Sequence, residues 1–149
     1  MSNGQNNILI NGLSYYGLSL LSFLLDSHPD LAADSILIRT RADRAAETYS
    51  QAIRNGESRL EAEAQATQIL FQGLHFSLYN TIVNILWDEF EELVPEDQAR
   101  DIARKILPRV AYLKREYDLN DDFDTSPEYQ RFYTELVGTI QNLLDYGVQ

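Results

Sequence analysis

Cysteine is absent from the 149 residues. Disulfides, thiol nucleophiles and Cys-ligated zinc or iron–sulfur centres are excluded with it. Basic residues are scarce: twelve Lys and Arg stand against twenty-three Asp and Glu, for a formal charge of −11. Non-specific nucleic-acid binding needs cations to replace counterions on phosphates, so this balance opposes it. Docking on an anionic membrane is opposed for the same reason. Glycine is sparse and unclustered, with seven in all. No Gly-rich phosphate cradle, dinucleotide fingerprint or Gly-x-Ser-x-Gly elbow can be built from them. Long apolar runs are missing too. The longest near the start, residues 18–25, falls short of the ~20 residues that span a bilayer. No Lys or Arg precedes Arg39, so the charged opening of a signal peptide is lacking. These absences predict a cytoplasmic protein. Period-two alternation is also absent, and no Asn-Gly stands between alternating runs. No sheet is expected.

What the chain does contain is helical pattern. Hydrophobic residues make up 44% and aromatics 11%, enough to bury a core and oppose global disorder. The densest apolar stretch is LFQGLHFSLYNTIVNILWDEFEELV, residues 70–94, with the single Trp. Apolar residues there cover most of a helical circumference, leaving Asn80, Asn84 and Asp88 as a narrow polar strip. Such a helix belongs inside a bundle.

Around it we expect an all-α, compact multi-helix bundle of about six or seven helices. Residues 1–12 would be a flexible leader and residues 13–149 a single helical domain. Ser14 caps the first helix, which His28-Pro29 ends. Asp34 caps the second, over residues 35–55, with Gly56 past its end. Ser58 and Glu61 form a capping box for the third, whose Ala- and Glu-rich first half is expected to be exposed. Gly73 ends that helix. The central helix spans residues 77–93. A fifth starts at Pro95 and runs to Leu107; Pro108 interrupts it before a short sixth over residues 109–117. Ser126-Pro127-Glu128 reads as cap and first turn of the seventh, which runs to Tyr146.

No motif states a chemistry. Asp118, Asn120, Asp122 and Asp124 alternate as in the first half of an EF-hand loop. The match then fails: Phe123 stands where Gly is needed for the sharp turn, and Tyr129 where the bidentate Glu belongs. The loop candidates Asp118, Asp121, Asp122 and Asp124 therefore read as a solvated acidic loop, with no metal assigned. His28 and His75 have no partner at ligand spacing and are read as structural. Acidic pairs are abundant, but on helices this charged they read as solvated faces. The interaction candidates are Asp88, Glu91, Glu92, Glu96, Asp97 and Asp101, joined by Glu89 and opposed by Arg100 alone. Tyr15, Tyr112, Tyr117 and Tyr146 are candidates for a contact surface.

Several strings resemble a small uncharacterised family associated with Gram-negative anaerobes and conjugative mobile elements. They are Ser14-Tyr-Tyr-Gly-Leu-Ser-Leu-Leu-Ser-Phe-Leu, Ser27-His28-Pro29, Tyr49-Ser-Gln-Ala-Ile, Gly73-Leu-His-Phe-Ser, Thr81-Ile-Val-Asn-Ile-Leu-Trp-Asp-Glu-Phe, Ser126-Pro-Glu-Tyr and Tyr133-Thr-Glu-Leu-Val-Gly-Thr-Ile. The resemblance implies a helical domain of unknown function and brings no catalytic residue. The expectation is a non-catalytic protein-binding or accessory protein, without cofactor. It acts through its acidic helical surface on a protein partner, with homodimerisation open. It binds neither nucleic acid nor membrane directly. The alternatives are a DNA-mimic inhibitor of a host nucleic-acid enzyme and a weak metal-dependent enzyme using buried carboxylates and a His.

Overall fold

A computed structural model describes residues 14–147. The leader expected over residues 1–12 lies outside them. Among the described residues the chain forms seven α-helices joined by turns and short 3-10 helices, with no strand. The all-α expectation holds. The described residues fall into two compact units, one of residues 14–26 and 31–72, the other of residues 27–30 and 73–147.

The first unit holds α1 (Tyr15–Ser27, to Asp26), α2 (Ser35–Arg54) and α3 (Arg59–Phe71). Ser14 Oγ accepts from the Gly17 amide at 3.1 Å, satisfying a free N–H at the start of α1. Leu20 and Leu24 face inward and are fully buried, while Leu25 is exposed. Asp34 caps α2 by accepting from the Leu37 amide at 3.0 Å. At its other end Gly56 takes φ 87°. The Gly56 amide bonds the Ile53 carbonyl and the Glu57 amide bonds the Ala52 carbonyl, each at 3.0 Å. This is a Schellman motif, and it needs a residue free to take positive φ.

Ser58 and Glu61 exchange both bonds of the expected capping box. One expectation fails here: the first half of α3 is not wholly exposed. Ala62 and Ala66 are fully buried, and so is Ala45 of α2. Ala62, Ala66 and Leu70 recur four apart on one face of α3, and the methyl side chains of Ala45, Ala62 and Ala66 let α2 and α3 approach closely. Phe23 and Phe71 meet edge to face at 5.1 Å. Tyr16 donates to Glu63 at 3.2 Å; burial, then Glu63, pushes its phenol up to about 12.

The second unit holds α4 (Leu78–Glu89), α5 (Ala99–Ile106), α6 (Leu113–Glu116) and α7 (Tyr129–Tyr146). Ser77 caps α4, accepting from the Asn80 amide at 2.9 Å. Seven of the twelve residues of α4 are buried, as expected of a helix apolar almost all round. It ends four residues earlier than its apolar pattern predicts. Pro95 forces Val94 out of helical conformation, and the chain already leaves the helix at Phe90, φ −130°. Pro95 precedes a 3-10 helix, Glu96–Gln98, rather than opening α5. A second 3-10 helix, Leu107–Val110, accommodates Pro108 and leaves α6 only one turn long.

Phe76, Tyr117, Phe123 and Phe132 form the aromatic centre of the core, meeting edge to face at 5.0–6.0 Å. One capping expectation is corrected. Ser126 does not cap α7: its Oγ is buried with no hydrogen-bond partner among the described residues. The helix begins instead at Tyr129, after Glu128. The His28 Nε2–H donates to the Leu74 carbonyl at 2.8 Å. Ser77 Oγ donates to the Ser27 carbonyl, and Asn80 donates to Ser27 Oγ at 3.2 Å. These bonds hold residues 27 and 28 to the turn that opens α4.

Candidate functional site

The predicted acidic residues follow one another in the chain and are all exposed. Asp88 and Glu89 close α4, Glu91 and Glu92 occupy the turn behind it, Glu96 and Asp97 the 3-10 helix, and Asp101 the first turn of α5. The turn between them decides which apolar groups they surround. Phe90 drops its ring into the core, and its carbonyl accepts from the amides of Leu93 at 3.0 Å and Val94 at 2.9 Å. Val94 is buried. Leu93, expected in the core, is 64% exposed.

Trp87 stands beside the ridge, half-buried. Its indole N–H donates to the Glu96 carbonyl at 3.2 Å, tying the 3-10 helix to α4. The Arg100 guanidinium carbon lies 5.7 Å from the centre of the indole, within cation–π range. Glu89 accepts from the Tyr133 hydroxyl at 3.1 Å. Burial first, and then that bond, raises the Tyr133 phenol above its ordinary value. Arg100 is not the sole opposing cation, because Arg104 pairs with Asp101 at 2.8 Å.

The acidic loop is more tightly built than expected. Asp121 turns its carboxylate onto the backbone, accepting from the amides of Gly73 and His75 at 2.9 Å each. Phe123, two residues on, is 1% exposed and locked among aromatic rings. Asp118 accepts from the Asn120 side chain at 3.1 Å, and Asn120 in turn accepts from the Asp122 amide at 2.9 Å. Asp122 and Asp124 are exposed. Among the described residues no three His, Cys, Asp or Glu side chains are placed to hold a metal ion. No described Asp or Glu is buried, and His75 is exposed.

Of the tyrosines singled out, Tyr15 and Tyr146 are exposed and Tyr112 is half-buried. Tyr117 is not a surface residue. Its ring is in the core, its hydroxyl donates to Glu135 at 2.9 Å, and Arg131 Nε donates to that hydroxyl at 3.2 Å.

Sequence reasoning missed a second feature. Arg100, Arg104, Lys105, Arg109, Lys114 and Arg115 lie within residues 100–115 against a single acid, Asp101. Half the chain's cations therefore follow directly on its acidic ridge, and a charge count in a sixteen-residue window would have found them. Beside Arg104 and Lys114 opens a cavity of 520 Å³ with a mainly apolar lining.

These features define an all-α protein with an acidic ridge around an exposed leucine, an adjoining cationic stretch and an apolar cavity. No described helix is long and apolar enough to cross a membrane. The chain belongs to the family described as a domain of unknown function (DUF1896), whose family model matches residues 10–148. It is similar to the crystal structure of protein PG0816 from Porphyromonas gingivalis, at 36% sequence identity and a TM-score of 0.85. That match covers 98% of this chain and 96% of the other. No curated protein matches it.

Proposed function

We propose that this protein is a non-catalytic binding protein of the cytoplasm, and that its partner surface is the acidic ridge of residues 88–97 with Leu93 as the apolar anchor. The observation that carries this is the placement of Leu93, 64% exposed between Glu91, Glu92, Glu96 and Asp97. At such a contact the apolar side chain would supply affinity and the flanking charges register and rate. Trp87 beside it adds a half-buried aromatic surface of the kind enriched at such contacts. The partner is a basic protein surface with an apolar socket. The six cations of residues 100–115 break the run of negative charge, unlike the uninterrupted phosphates of a DNA duplex.

The test is capture of partners from native lysate on the tagged protein at low and moderate salt. Wild type is compared with Leu93→Ser and with a charge-reversed Glu91→Lys, Glu92→Lys, Glu96→Lys, Asp97→Lys variant. A basic partner that moderate salt releases, and that both variants lose, supports the reading. A partner retained by both variants places the interface elsewhere and overturns it. Recovery of only the protein itself, with a dimer mass by light scattering that Leu93→Ser abolishes, replaces the external partner with a second copy.

A further inference from the structure

We infer that the cavity beside α5 and α6 is a binding site for a small organic carboxylate with an apolar body. Its volume, 520 Å³, lies within the ~300–1,000 Å³ of small-molecule sites. Leu107, Pro108 and Ala111 line it, with Pro29; these carry no side-chain donor or acceptor. Two cations stand at the lining, Arg104 and Lys114. Charge distinguishes the occupants: an apolar body matches the lining, and an anionic head takes the donors that Asp101 and Asp30 leave open on the two cations.

Both cations are held in place before any ligand arrives. Arg104 Nη1 donates to Asp101 at 2.8 Å, and its guanidinium carbon lies 5.9 Å from the Tyr79 ring centre. Lys114 Nζ donates to Asp30, which also lines the cavity. Neither pairing exhausts its group. A guanidinium has five N–H donors and an ammonium three, so each retains donors for a carboxylate. Asp30 sets the selectivity against a larger anionic load, because it already neutralises part of the positive field. A single carboxylate fits; a multiply charged phosphate does not gain enough. The pairing also fixes the Lys114 side chain, which lowers the ordering cost of binding. The site touches the acidic residues only through the Arg104–Asp101 pair and does not depend on the ridge of residues 88–97 having a partner.

The experiment is isothermal titration of the full chain with octanoate, 1-octanol, octylammonium, inorganic phosphate and an acidic decapeptide. Octanoate is expected to bind with a Kd of roughly 10 μM to 1 mM and to raise Tm. Octanol and octylammonium are expected to bind at least tenfold more weakly. Arg104→Gln and Lys114→Gln are each expected to raise the octanoate Kd about tenfold or more, as loss of a charge-assisted bond requires. Both side chains are substantially exposed, so these variants keep the fold, and circular dichroism checks it. Ala111→Trp, which fills the cavity, is expected to abolish binding. No octanoate binding at 5-fold above the upper Kd, equal binding of octanol, or a Kd unmoved by both Gln variants overturns the inference. Tighter binding of phosphate or of the decapeptide overturns it too, because the apolar body would then be irrelevant or the occupant a protein.

Discussion

A single carboxylate can hold two backbone donors, and Asp121 does. Its bonds to the Gly73 and His75 amides are charge-assisted, and losing both costs about 1–3 kcal/mol. Asp121→Ala is expected to lower urea stability by that amount, Asp121→Asn by less. Asp122→Ala, at the exposed neighbouring position, is expected to stay within about 0.5 kcal/mol. His28 gives a pH signature. Burial lowers its pKa, outweighing the Leu74 carbonyl and Asp30, which raise it. The unfolded imidazole takes up a proton near ~6.5 and the folded one only below that. Between those values the unfolded state binds more protons, so stability is full above ~6.5 and falls as pH drops through the window. Wild type minus His28→Gln should show this slope, up to ~1.4 kcal/mol per pH unit, in denaturant midpoints taken from pH 7.5 to 5. A flat difference would mean that the imidazole titrates normally.

Helix ends test the reading of the chain most directly. Gly56 sits at φ 87° with nothing within 4 Å of an added Cβ, so Gly56→Ala carries backbone strain alone. The expected loss is about 1 kcal/mol. Gly138, inside α7 and also clear of neighbours, has the opposite sign: Gly138→Ala should gain up to ~1 kcal/mol. Thermal melts of the pair read both. Ser126 separates sequence from structure. As a helix cap its loss to Ala would cost ~1 kcal/mol; as a buried hydroxyl without a partner its removal is neutral or stabilising by up to ~1 kcal/mol. Chemical denaturation of Ser126→Ala is expected to give the second result. The caps at Asp34 and Ser58 were legible because their side chains act locally. At Ser126 the strong local signal Ser-Pro-Glu misleads, since Phe123 is drawn into the core and its 3-10 turn carries Ser126 inward with it.

Charge is segregated along the whole molecule. The net −11 conceals an acidic run over residues 88–97 and a cationic one over residues 100–115. Leu93→Ser is expected to leave thermal stability within about 0.5 kcal/mol, because the side chain is already in solvent, while reducing partner capture. A variant that instead melts several degrees lower would assign Leu93 to the fold. The candidate ridge was legible because α4, its turn and α5 follow one another in the chain. The cavity was not: it brings Pro29 to residues 104–114, a separation that no local pattern reports.

Composition and periodicity by themselves determined the helical class, a count of about six or seven helices against seven among the described residues, most of their ends and the absence of thiol chemistry. Those properties are set by contacts within a turn or two of each residue. Tertiary structure alone decided that Leu93 faces water while Val94 does not, that Asp121 accepts from the Gly73 and His75 amides, and that Tyr117 is core. It also decided that Arg104 and Lys114 meet at one apolar cavity. Each depends on which distant segment occupies the space nearby, and side-chain spacing along the chain carries no record of that.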